Sequence, residues 1–348
     1  MSDVVILDPT VDPRWEALAA GPQGSLFTSP PWLRSLRDAY GFEFRAAIAL
    51  DGDIPRSGLA WAHVHDLRGE RLVALPFCDY ADPILGEADD WNLLSSALTQ
   101  CEVTVSMRVK CNAAAVHADE RFSLINETLW HGIDLLRNPK AMWADVREEA
   151  RRAVRKSQKT GVVVRCAHSL DDVRAFHDMH CEVRREKYRL LAQPVRLFES
   201  IWEQFAATGD AHLFLAERDG VPVAGTFYVV WGDTLYYKFN ASRRDALEGR
   251  PNDLLTWSGM VRGHELGLAR VDLGQSDPHQ EGLVRYKEKF ATEKSGISWF
   301  TYRTDAPPDA TACIGAQTLG ALTELLTGPN VPSDIYKHAG ALLYRNFC

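Results

Sequence analysis

The chain of 348 residues has no apolar run near the roughly 18 residues of a membrane span, so no transmembrane helix is expected. Its start, MSDVVILDPTVDPRW, lacks a basic region followed by a long apolar core, which argues against a secretory signal. Seven cysteines are scattered without a CxxC pair, which predicts reduced thiols and a cytoplasmic chain rather than a disulfide framework. There is no Walker A loop, no GxGxxG, no HExxH and no GxSxG; the run Gly274-Gln275-Ser276-Asp277 does not make a nucleophile elbow. His177, His180 and Cys181 share a helical turn, but no further ligand set accompanies them, and no metal site is predicted.

What is present is an ordinary globular composition, 46% hydrophobic and 25% charged, in a length that suits two domains. The net charge of −8 excludes a chain that binds nucleic acid over its whole surface. The charge is uneven, however: Arg137 to Arg196 carries fifteen Lys and Arg against eight Asp and Glu, which points to an anionic ligand handled in one place or to a solvated helix face.

The coarse pattern repeats. Strands are expected over 44–50, 57–66 and 70–77, with turns at Asp51-Gly52 and Arg68-Gly69. The second half offers 211–217, 221–231 and 234–240, with turns at Asp219-Gly220 and Gly232-Asp233. Each meander is followed by a helix (91–100; 252–266) and a strand (102–109; 269–274). The pairs Phe44/Ala211, Asp51/Asp219 and Val103/Val271 share one offset to within a residue, which predicts an α+β chain of two tandem units with the same topology. Helices are also expected from Ser29 or Ser25 to Gly41, over 170–190, and over 141–160, where Trp143, Val146, Ala150 and Val154 make one stripe and Arg151, Arg152, Arg155, Lys156 and Lys159 make a basic face. The segment 299–348 is too short to be a domain and must pack on one.

The most informative stretch is LARVDLGQSDPHQEGLVRYKEKFATEK (268–294): a strand ending at Gly274, a polar loop, then Tyr286-Lys287 and Lys289-Phe290 on an amphipathic segment. Lysines beside such a loop suit an oxyanion or a phosphate, or simply a solvated face.

Together with YYKFNAS (236–242), RPNDLLTW (250–257), DLGQSD (272–277), EGLVRYKEKF (281–290), RRAVRKSQKTGV (151–162), LFTSPPWLRSLRDAYG (26–41) and LPFCDYADPIL (75–85), the chain resembles the FemAB-related branch of the GNAT acyltransferases. The resemblance implies two tandem GNAT-like domains, each a mixed, mostly antiparallel sheet flanked by helices. The first would be residues 1–144, on the acceptor side and completed by the tail 295–348. The second, 145–294, would be catalytic and on the donor side. The long helical arm of some Fem proteins has no counterpart.

It also implies transfer of an acyl group to an amine, from aminoacyl-tRNA as in Fem enzymes or from acyl-CoA as in ordinary GNAT enzymes. A CoA diphosphate needs a glycine-rich turn at a helix N-terminus. Between Asn240 and Leu255 the chain offers one glycine, Gly249, followed by Pro251, which lacks an N–H; ADPILGEADDW in the first half is acidic. Both weaken the CoA reading and favour tRNA as partner, with no bound cofactor. Lys287, after the aromatic Tyr286, is then expected to stabilise the tetrahedral oxyanion, with Lys289 as its substitute. Asp277 and Glu281 are candidate bases, or else a helix cap and a first-turn acid, and a substrate-assisted route stays open. Arg184 and Tyr188 resemble an acceptor-binding pair. Trp32, Tyr80 and Tyr237 are candidates for a cleft wall or for plain core. Arg151, Arg152, Arg155, Lys156 and Lys159 would meet tRNA phosphates. The expected activity is aminoacyl transfer to a small-molecule or peptidyl amine; the alternatives are an acyl-CoA N-acyltransferase and a non-catalytic binding module of the same fold.

Overall fold

The computed structural model describes residues 4–303 and 310–348. Its strands are β1 Val4–Leu7, β2 Glu43–Asp51, β3 Ile54–Asp66, β4 Gly69–Val73, β5 Thr104–Val109, β6 Phe122–Asp134, β7 Val163–Cys166, β8 Ala211–Arg218, β9 Val221–Trp231, β10 Thr234–Ser242, β11 Arg270–Ser276 and β12 Glu293–Tyr302. The chain forms two compact units: residues 1–128 with 296–322 and 345–348, and residues 129–295 with 323–344.

In the first unit β1, β2, β3 and β4 are successively antiparallel, β4 pairs in parallel with β5 over Arg71–Val73 and Thr104–Ser106, and the end of β12 runs antiparallel to β5. Helix Asp90–Thr99 connects β4 to β5 and packs Trp91, Leu94 and Leu98 on Leu59, Trp61, Leu72, Val105 and Met107. Each such side chain contributes roughly 1.5–3 kcal/mol on burial. β5 alternates strictly: Val105, Met107 and Val109 are buried, while Ser106 and Arg108 face the other side.

The second unit repeats this plan. β7 pairs with β8, β8 with β9 and β9 with β10, all antiparallel; β10 is parallel to β11, and β11 is antiparallel to the end of β6. The hairpin of β8 and β9 turns on Asp219 and Gly220, at φ 54° and 76°, the left-handed pair that the right-handed strand twist favours. Helix Pro251–Glu265 returns the chain to β11 and buries Leu254, Leu255 and Met260 against Tyr228, Leu235 and Val271. The expected repeat is thus present as a shared strand pairing, down to a parallel ladder of three residues in each unit.

Three expectations are corrected. The helix expected over 141–160 is two, Pro139–Asp145 and Glu148–Lys159, because Val146 is extended (ψ 131°) and Arg147 donates its N–H to Lys289 O at 3.0 Å. The helix expected to reach 190 ends at Glu186, and Arg189 is left-handed (φ 54°), so Tyr188 lies past the helix. β4 stops at Val73, because Leu75 and Phe77 are left-handed (both φ 58°).

The tail divides. Residues 323–344 fall in the second unit, where Arg185 donates to Val331 O (2.6 Å), Tyr336 Oη donates to Leu190 O (2.8 Å) and Lys337 pairs with Asp178 (2.6 Å). Among the described residues no helix is long and apolar enough to cross a membrane.

Candidate active site

The β10–β11 ladder is the natural starting point. It runs only from Thr234/Arg270 to Tyr236/Asp272, although β10 continues to Ser242 and β11 to Ser276. Irregularities fall just where it stops: β10 shifts register against β9 between Tyr237 and Phe239, and β11 against β6 between Asp272 and Gln275. Bulges of this kind end a pairing and re-aim side chains. Beyond Tyr236 and Asp272 the two strands share no ladder. Gly274, buried at φ 70°, makes the turn on the β11 side, and its N–H is held by the Asp272 carboxylate at 2.6 Å.

Lys287 ends the short helix Glu281–Lys287 and reaches this place. It is 6% exposed, and its Nζ donates to Gly274 O (3.1 Å) and Gln275 O (2.6 Å). Tyr286, half-buried, donates its hydroxyl to Asn252 O (2.9 Å) and shares a hydrogen bond with Thr256 Oγ1 (2.7 Å); burial pushes its phenol well above its ordinary range. Tyr237 lies edge-on to Tyr228 with centroids 5.4 Å apart, and burial raises its phenol too. Asn240 donates to Thr226 Oγ1 (2.9 Å) and Asn252 Oδ1 (3.3 Å), so β10, helix Pro251–Glu265 and the Tyr286 segment are tied by one polar network.

Lys289 is not on the helix at all; it follows its end. Its Nζ sits 3.4 Å from Asp253 Oδ1 and 5.3 Å from the Tyr286 ring. Asp253 stands in the first turn of helix Pro251–Glu265, 3% exposed and also 3.4 Å from Arg250 Nε. Burial raises its carboxyl above the usual range, opposed by Lys289 and Arg250. The positive end of this helix is therefore faced by an internal carboxylate, behind a left-handed Arg250 (φ 59°) and a proline.

Two depressions of about 490 Å³ each meet at Leu247 and Asn252. The wall of one includes Glu182, Glu186, Tyr188, Asn240, Ser242 and Arg244; that of the other includes Glu149, Arg250, Asp253, Arg285, Tyr286 and Lys289, but not Lys287.

The other expected residues are dispersed. Asp277 does not cap the helix, whose N-cap position is Gln280; its carboxylate instead accepts the His279 N–H at 2.9 Å, while Glu281 is the first-turn acid. Tyr188 is exposed in the first depression, whereas Arg184 donates Nε to Leu191 O (3.1 Å) and lies over Tyr344. Their expected helical pairing is absent because the helix has already ended. Trp32, 1% exposed, packs edge-on to Phe27 in the core of the first unit. Tyr80 also meets Phe27, with Lys110 Nζ 4.6 Å from its ring, and lines a cavity of that unit. On helix Glu148–Lys159, Arg152, Arg155, Lys156 and Lys159 are exposed, while Arg151 folds back to donate to Ala144 O at 2.9 Å. Arg152 pairs with Glu148 and Lys156 with Glu248, and Arg155 lies over Trp143. His177 and His180 both bond to Gln193, through its main-chain oxygen and its Oε1.

Sequence reasoning missed Asp253, Asn240, Asn252 and Thr256, all inside the quoted stretches 236–242 and 250–257, and His131. That histidine is fully buried on β6, and burial together with Lys287 lowers it to about 4. A lone histidine in an apolar strand gives no signal beforehand.

Residues 144–288 match the family described as Acetyltransferase (GNAT) domain. This match lies within the second unit and covers less than half of the chain. No curated protein matches this chain. Among solved structures, FemX is similar over 92% of this chain and 100% of its own, at TM-score 0.66 and 14% identity. L-PGS from Bacillus licheniformis is similar over 92% and 96%, at 0.56 and 15% identity. A tandem GNAT protein from the clavulanic acid biosynthesis pathway is similar over 89% and 100%, at 0.53 and 13% identity. The chain thus has the fold of these solved structures.

Proposed function

We propose that this GNAT protein transfers an aminoacyl group from aminoacyl-tRNA to an amine, forming an amide. The observation that carries the reading is Lys287, an ammonium fixed on two β11 carbonyls just beyond the end of the β10–β11 ladder. An ester carbonyl entering between those strands develops negative charge as the amine attacks. A preorganised cation there is worth about 3–4 kcal/mol of barrier. Asp277, or the substrate itself, takes the amine's proton. Tyr188 meets the acceptor, and the exposed Arg152, Arg155, Lys156 and Lys159 meet the donor's phosphates.

Support for tRNA over CoA comes from helix Pro251–Glu265. A diphosphate would seek free N–H groups at that terminus. Asp253 lies there instead, and Pro251 has no N–H to give. The matched family description, an acetyltransferase, favours a second reading in which acyl-CoA is the donor.

The test incubates the protein with charged total tRNA or with an acyl-CoA mixture, with and without an amine, and follows donor loss. Amine-dependent deacylation of tRNA is expected. Consumption of acyl-CoA with charged tRNA untouched would replace this reading by the second.

A further inference from the structure

The first unit holds a cavity of about 350 Å³ whose wall includes Leu75, Phe77, Tyr80, Ser106, Arg108 and Trp299. It occupies the place where β4 and β5 part, the counterpart of the gap between β10 and β11. We propose that it is a separate binding site for a small monocarboxylate with an apolar body.

The wall is a built feature. The segment after β4 is pinned to β5 at both ends, by Ala74 N–H to Ser106 O and Ala81 N–H to Arg108 O, each 2.8 Å. Between these pins Leu75 and Phe77 both take φ 58°, a conformation that L-residues with large side chains rarely hold. Such local cost is stored where surrounding structure enforces it, often at ligand sites. Here it bows the segment away from β5 and opens the space.

Arg108 supplies the chemistry. It stands on the face of β5 opposite the core, with its guanidinium 4.1 Å from the Trp299 ring centroid and one N–H donated to Cys78 O at 2.9 Å. A guanidinium has five N–H donors in a planar fork that matches a carboxylate. Among the described residues Arg108 is in no salt bridge, and burial lowers its pKa, opposed by the charges of Asp79, Cys78 and Cys348 nearby. Desolvating a cation costs several kcal/mol, which an incoming anion offsets. Arg68 and Arg71 are already engaged with Cys348 O, which leaves one guanidinium and so favours a monoanion over a diphosphate. Apart from Arg68, Cys78, Ser106 and Cys348 the rest of the wall is aliphatic and aromatic, and the volume is at the small end of ligand sites.

Calorimetric titration of the full chain with butyrate, phenylacetate and indole-3-acetate, each beside its neutral amide, tests this. At least one acid is expected to bind ten-fold or more tightly than its amide. Arg108→Gln is expected to abolish the preference with the thermal midpoint unchanged, and Ser106→Phe to abolish binding by filling the space while leaving Arg108 in place. Acids and amides binding alike, no acid binding below about 10 mM, or full binding in both variants would overturn the proposal. The readout is binding in the first unit and is independent of which donor the second unit uses.

Discussion

The ammonium of Lys289 stands 3.4 Å from a carboxylate oxygen of Asp253, both nearly buried, at the first turn of helix Pro251–Glu265. Breaking a buried pair from one side leaves the other charge uncompensated, at about 3–5 kcal/mol. Asp253→Leu and Lys289→Met are each expected to lower stability by about that range, and the double variant to recover most of the loss. Denaturant midpoints of the four proteins check this; additive losses would show that the two side chains are not coupled.

Lys287→Met is expected to slow transfer about 10²–10³-fold, the usual effect of deleting a donor to an oxyanion. It also strips a donor from the carbonyls of Gly274 and Gln275, so a stability loss of about 1–3 kcal/mol should accompany it. Single-turnover rates on folded protein separate the two effects, and wild-type rates in this variant would remove Lys287 from the chemistry.

Acid should destabilise the second unit through two buried histidines. His131 and His180 are lowered by burial to about 4 and about 3, from 6.5. As pH falls below 6.5 the unfolded chain takes up protons that the folded chain refuses, so stability drops through the interval down to those values. The slope is about 1.4 kcal/mol per pH unit for each group. Urea midpoints at pH 7 and 5 should differ less in His131→Gln than in the parent; equal differences would mean that His131 is not held neutral.

Exchanging Arg152, Arg155, Lys156 and Lys159 for Gln is expected to weaken tRNA binding and to flatten its dependence on salt, by about one in the logarithmic slope for each phosphate contact removed. Filter binding from 50 to 300 mM salt measures it. A slope identical to the parent's would return these residues to the role of a solvated face.

The legible part of the fold was the part governed by short-range pattern. The turns at Asp51-Gly52, Asp219-Gly220 and Gly232-Asp233 separate runs of strand-forming residues, and β2, β3, β8 and β9 fall within a few residues of expectation. The breaks that sequence missed are long-range. Val146 leaves the helix because Lys289 O is there to take the next N–H, and β4 ends early because the segment 74–81 is pinned to β5. The candidate site divides in the same way. Lys287 is a candidate from sequence because it follows Tyr286 in a recognisable stretch, whereas Asp253 stands out only once Lys289 lies against it.

The sequence by itself determined that two units of one topology follow each other, because hydrophobic alternation and turn chemistry are local properties and occur twice at one spacing. Tertiary structure alone decided which lysine lies on β11 and which beside Asp253, and that Arg108 stands over Trp299 at the edge of a cavity. Those outcomes depend on where strands cease to pair and which buried charges meet, and neither is written in the order of neighbouring residues.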